Sequence, residues 1–198
     1  MPSPVGHALA GIAVSWAGDL VSGRRIVPAE SLAGGWFSRA GGSLTVLAAA
    51  LAAAPDLDLI VGVHRTATHS LTAVLFVMVM AALVAAWLKL PVGRVALLCG
   101  AAWGSHLLLD WMAMDVSAPR GIQMLWPFSR TWFVSGWDVF ASTERRRIFS
   151  ARSMEQNVWA LTREVLVLAP VLLALWSVRV KALTRLSTQP ASRHHPAQ

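Results

Sequence analysis

His106 and Asp110 stand four residues apart in the run VALLCGAAWGSHLLLDWMAM, residues 95–114, which is otherwise apolar enough to cross a membrane. On an α-helix that spacing puts both side chains on one face. An ionisable side chain inside a membrane segment is costly and marks a functional site by default. Imidazole and carboxylate on one face can hold a divalent ion together, or the imidazole can ligate while the carboxylate orients it. A buried His–Asp hydrogen bond tying helices together is the structural alternative.

The same residue types recur elsewhere in the chain. PDLD at 55–58 follows an apolar run that Pro55 stops. In extended chain Asp56 and Asp58 share a face, and bridging carboxylates are what two-metal hydrolytic sites use. An Asp-rich cap or turn is the plainer reading. HRTATHS at 64–70 supplies His64 and His69 as ligands, with Arg65 beside them to clamp an anionic oxygen such as a phosphate, or simply to snorkel to the interface. Thr68 or Ser70 is placed to cap the next helix. His7 follows Gly6 in a segment with no other ionisable group before Asp19. Glu164 lies in the last apolar segment and needs a partner at that depth. Its neighbour Arg163 points about 100° away on a helix, so a metal or a site histidine is expected there, against a pair with Arg65 or Arg163. The stretch GIQMLWPFS, residues 121–129, reads as an interfacial loop walling the site. Asp138 and residues 144–147 read as solvated charges, and His194 and His195 as part of a tail.

These residues must be positioned by membrane helices. The 198-residue chain is 56% hydrophobic and 14% charged, whereas soluble domains carry about 25% charged residues. Its net charge of +7 comes from scattered Lys and Arg, which fits membrane orientation and headgroup contact; no nucleic-acid partner is expected. The single Cys99 excludes an internal disulfide and a cysteine zinc cage. Trp16, Trp87, Trp111, Trp159 and Trp176 fall near the ends of apolar runs, as interfacial belts require. No charged n-region precedes the first apolar segment, so no cleavable signal peptide is expected.

The expected fold is all-α: a multi-pass transmembrane bundle of about four to five membrane helices. Residues 71–88, 95–114 and 158–178 are the strong spans, the last with a kink expected at Pro170. Residues 5–20 and 43–54 are shorter and rich in Gly and Ala, which suits close helix approach. Residues 1–186 form one domain, and 187–198 a disordered tail. If all five segments cross, residues 21–42, the 89–94 turn and the tail share one side. Their Arg24, Arg25, Arg39, Lys89, Arg94, Arg179, Lys181, Arg185 and Arg193 place that side in the cytoplasm. His7, both loop clusters, the Asp110 end of its helix and the Glu164 end of the last helix then converge on the other face. Few polar residues are expected to continue through the opposite halves of the helices.

Taken in order, these motifs resemble the YdjM-like family of bacterial inner-membrane proteins assigned as metal-dependent hydrolases. The matching elements are His7, PDLD, HRTATHS, GSHLLLD at 104–110, the stretch from Gly121 to PFS, and REVLVLAP at 163–170. The resemblance implies a multi-pass helical protein of the bacterial inner membrane with a His/Asp metal site. A more distant similarity links His106/Asp110, Asp56 or Asp58, His69 and Glu164 to zinc-dependent phospholipase C and single-strand nucleases. The chain lacks that group's further histidines, so one or two ions are expected rather than three.

The expected activity is hydrolysis of a phosphoester, lipid-linked or small, through a metal-activated water. His69, His106, Asp110 and one or both of Asp56 and Asp58 would hold the ion, with His7, His64 and Glu164 completing the shell. Zinc fits the His-rich set; manganese fits if carboxylates dominate. Arg65 would stabilise developing negative charge, and Glu164 or a non-ligand Asp would act as general base. Membrane lipids are the expected surroundings. The alternative is a non-catalytic membrane regulator or scaffold locked by a metal or an ion-pair network.

Overall fold

In the computed structural model, residues 1–21, 40–62, 64–145 and 149–187 are described. The tail, Arg24, Arg25, Arg39, Arg146 and Arg147 lie outside the described residues. Among the described residues every regular element is helical, and the long connection after residue 111 adds two isolated backbone bridges, Ala113 with Phe140 and Ile122 with Phe133.

Helix α1 spans Pro4–Gly18; Ser3 caps it by accepting from the Gly6 amide, and Pro4 takes the first position, where no N–H is needed. Helix α2, Gly42–Ala53, runs directly into a 3-10 segment, Ala54–Val61, as Pro55 removes an amide from the α ladder. A second 3-10 turn, Ala67–His69, leads to α3, Leu71–Trp87, whose cap is Ser70 accepting from the Ala73 amide at 3.1 Å. Helix α4 is Val92–Trp111, and α5 is Ala151–Ser187.

Among the described residues, three stretches are long and apolar enough to cross a membrane: Gly42–Ile60, Val92–Trp111 and Ala151–Lys181. The second short segment of the sequence thus gains its length from the 3-10 extension. Helix α3 stops one residue short of its expected end, at 17 residues. Helix α5 begins seven residues before the expected 158 and continues through Pro170. Its polar first turns are nucleated by Ser150, whose hydroxyl accepts from the Ser153 amide at 3.2 Å.

Helix α1 packs against α2, α4 and α5, and α3 lies against α4. At Gly11 a Cβ would strike the Ala48 backbone, so the α1–α2 crossing requires glycine there. The end away from the His/Asp motifs is more polar than expected. Arg179, 1% exposed, donates to Asp19 at 2.7 Å, Arg94 donates to the Gly18 carbonyl at 2.9 Å, and Ser15 bonds Thr45 at 2.9 Å midway. Hydropathy averaging hid this cluster, since its members come from four helices.

Candidate metal centre

His106 rises from α4 and donates from Nδ1 to the Ala52 carbonyl at 2.7 Å. Ala52 is in the last turn of α2, where carbonyls lack helical partners. That bond fixes the tautomer and turns the Nε2 lone pair inward. His69 meets it from the 3-10 turn, Nε2 to Nε2 at 3.0 Å. Asp110 Oδ2 lies 3.2 Å from His106 Nε2 and 3.3 Å from His69 Nε2, and Asp56 Oδ1 lies 3.7 Å from both. A cation held tetrahedrally with bonds of 2.0–2.2 Å has ligand–ligand edges of about 3.3–3.6 Å. The four atoms therefore already stand close to the corners such an ion needs, and all four residues are buried.

A second observation supports the fit. Both carboxylate oxygens of Asp110 are buried with imidazole nitrogens at 3.2–3.5 Å but in no hydrogen-bond geometry, and both ring nitrogens of His7 likewise lack a hydrogen bond. Buried polar atoms left unpaired are costly. His7 stacks on His106 at 3.7 Å between ring centroids and faces the other Asp110 oxygen at 3.5 Å. It stands beside the four-atom set rather than in it.

Asp58 does not share a face with Asp56. The segment is a 3-10 helix, so two positions are about 240° apart, not aligned as in a strand. Asp58 instead approaches His69 from its other edge, Oδ2 to Nδ1 at 3.2 Å, and accepts from Thr68 Oγ1 at 2.6 Å. The two aspartates thus grip one imidazole from both sides, Asp56 at Nε2 and Asp58 at Nδ1. Burial lowers the His69 pKa, but the carboxylates of Asp110, Asp56 and Asp58 outweigh it and hold the value up at about 10. Asp58 also accepts from His64 Nδ1 at 2.6 Å. His64 Nε2 in turn receives Arg145 at 3.3 Å, which sets the His64 tautomer.

Each motif comes from a different stretch of chain, yet all meet at one end of the bundle. A family model described as YdjM inner membrane protein matches residues 1–186. The chain belongs to this family. No curated protein and no solved structure matches it, so the likeness of this YdjM-family chain to phospholipase C rests on residue order alone.

Arg65, Glu164 and Arg145 make contacts that the sequence did not announce. Arg65 is paired with Asp115 and stacks over Trp132 at 5.7 Å. Its backbone has positive φ, which aims its amide at Asp58. Glu164 is fully buried but touches neither arginine named as a partner; it accepts from the Ser3 amide at 2.7 Å and the Ser3 hydroxyl at 2.5 Å. A Cβ at Gly6 would lie 2.5 Å from its Oε2, so Glu164 fastens α5 to the start of α1, one residue from His7. Arg145 is not a solvated charge. It grips both oxygens of Asp56 at 3.2 and 3.3 Å and donates to the Pro2 carbonyl at 3.1 Å. In sequence it sits within RRR and gives no sign of this. A cavity of about 720 Å³ opens here, with His64, Arg65, Asp115, Glu144 and Arg145 on its wall.

Proposed function

We propose that this protein is a multi-pass inner-membrane hydrolase that cleaves a phosphoester with a divalent ion. The observation carrying this reading is the buried set His69, His106, Asp110 and Asp56, whose ligand atoms all lie within 4.8 Å of one another, with both Asp110 oxygens outside any hydrogen bond. His69, His106 and Asp110 are the closely spaced trio, and Asp56 stands farther off, shared with Arg145, which lines the cavity. Three firm ligands and one looser position suit a catalytic site better than a sealed structural one. When bound, the ion supplies Lewis acidity near neutral pH. Zinc is the first choice for two imidazoles and two carboxylates, manganese the second.

The chain's own residues supply the rest. Asp58 orients His69 and also holds the Nδ1–H of His64, whose Nε2 accepts from Arg145 and so steadies that guanidinium at the cavity wall. Arg145 lines the cavity and holds both oxygens of Asp56, whereas Arg65 is paired with Asp115, so Arg145 takes the charge-stabilising role in place of Arg65. Glu164, with both oxygens engaged by Ser3, positions α1 rather than moving protons.

A closed four-ligand structural ion is the second reading, favoured by how fully the four residues are buried. Cobalt substitution separates the two. In the hydrolytic reading, the cobalt d–d spectrum of detergent-purified protein shifts on adding inorganic phosphate, and the zinc- or manganese-loaded protein cleaves an aryl phosphoester. A spectrum that phosphate leaves unchanged, with no turnover under either metal, would make the ion structural.

A further inference from the structure

We propose that the site-bearing end of the bundle is sunk in the headgroup layer, and that the cavity takes its ligand sideways from the bilayer, as the phosphate-bearing headgroup of a membrane lipid. This names the substrate class of the site proposed above and rests on that reading; the immersion of the rim does not.

Large apolar side chains project from this end at three separate helix boundaries. Ile60, 83% exposed, and Leu57, 63% exposed, extend the apolar surface of the Gly42–Ile60 span beyond the end of α2. The loop bearing Leu125 and Phe128, the latter 90% exposed, is fastened to the first turn of α3: Leu71 N–H donates to the Met124 carbonyl at 2.9 Å and Thr72 to the Trp126 carbonyl at 2.7 Å. It therefore sits level with exposed Leu71, Leu75 and Phe76, the lipid-facing start of α3. Trp137 packs on Trp111 at the last residue of α4 and is itself 64% exposed.

Such side chains would be a liability in water. Their continuity with the apolar belt of three helices assigns them to lipid, and tryptophan prefers that depth. Exposed Arg120 and Arg130 stand between them in the chain, and basic side chains at this level meet headgroup phosphates. The cavity has matching walls: Leu59 and Val116 offer apolar surface, while His64, Arg65 and Arg145 offer polar groups. A headgroup with the top of its acyl chains presents the same two surfaces.

The test uses the full chain in nanodiscs, with Cys99→Ser and a single new cysteine. Spin labels at Ile60→Cys, Phe128→Cys and Trp137→Cys are read for collision with oxygen and with a water-soluble nickel chelate. Immersion gives higher oxygen and lower nickel accessibility than the same label free in buffer. Buffer-like values at all three would overturn the rim. Equal loss of both accessibilities, with label–label distances between protomers, would hand it to a second copy and overturn it too. A fluorophore at Ser117→Cys, on the cavity wall, then reports the ligand's source. Quenching by a headgroup-nitroxide phospholipid that soluble glycerophosphocholine does not relieve supports lateral entry. Equal quenching by a soluble nitroxide phosphate ester would make the aqueous phase the source. Neither readout needs turnover, so a failure of hydrolysis stays distinguishable.

Discussion

At the scale of single residues, the site separates ligands from the groups that aim them. His106→Ala and Asp110→Ala each remove a corner of the set, so metal content measured by elemental analysis should fall to background in both. Asp58 acts through His69 Nδ1 and His64 instead. Asp58→Ala should keep the metal but weaken it by about 10–100-fold in a chelator competition, as lost orienting partners do. His69 gives a pH signature. Its pKa is raised from the ordinary 6.5 to about 10 in the metal-free site. The charged ring therefore stabilises the metal-free fold fully below about 6.5, and that contribution fades as pH rises through about 10. A metal needs the ring nitrogen free, so loading at pH 7.5 must expel its proton. Calorimetry in two buffers of different ionisation enthalpy should show about one proton released per ion, with affinity falling roughly tenfold per pH unit as acid is added.

At the scale of elements, Glu164 and the α1 start are a fastening. Glu164→Gln preserves volume, so metal content should persist while detergent-solubilised protein loses stability by roughly 1–3 kcal/mol, from weakening a buried charged hydrogen bond. Loss of metal with unchanged stability would return Glu164 to the chemistry. The helices were legible because hydropathy runs reveal apolar length. Their ends were not: the polar beginning of α5 rests on Ser150 and good helix formers, which carry no hydropathy signal. The His and Asp residues of the site were legible by type and by the helical spacing of His106 and Asp110. What each does was not, because it turns on the 3-10 geometry of PDLD and on contacts spanning the chain. Arg145 reaches Asp56 across 89 positions and Ser3 reaches Glu164 across 161, with no local pattern to betray either.

At the scale of the whole molecule, the two polar ends of the bundle divide the labour. The Asp19–Arg94–Arg179 cluster lies far along the helices from the His/Asp set and should matter for stability alone. Among the described residues, Arg179→Met leaves Asp19 with Arg94, at 3.7 Å. It should cost on the order of 3 kcal/mol, as breaking buried ion pairs does, seen as a lower melting temperature with metal content unchanged.

The modest length of α3 has a consequence of its own. Seventeen residues rise about 25 Å, against a hydrocarbon core of about 30 Å. Were α3 to cross, the surrounding bilayer would thin around it, or the loop fastened to its first turn would be drawn down with it. That loop, through the Arg65 carbonyl accepting from the Gln123 amide at 3.0 Å, is tied to the segment carrying His64 and His69. Acyl-chain length thus becomes a mechanical input to the imidazoles, and hydrophobic mismatch should register as a change in metal affinity between short- and long-chain lipids.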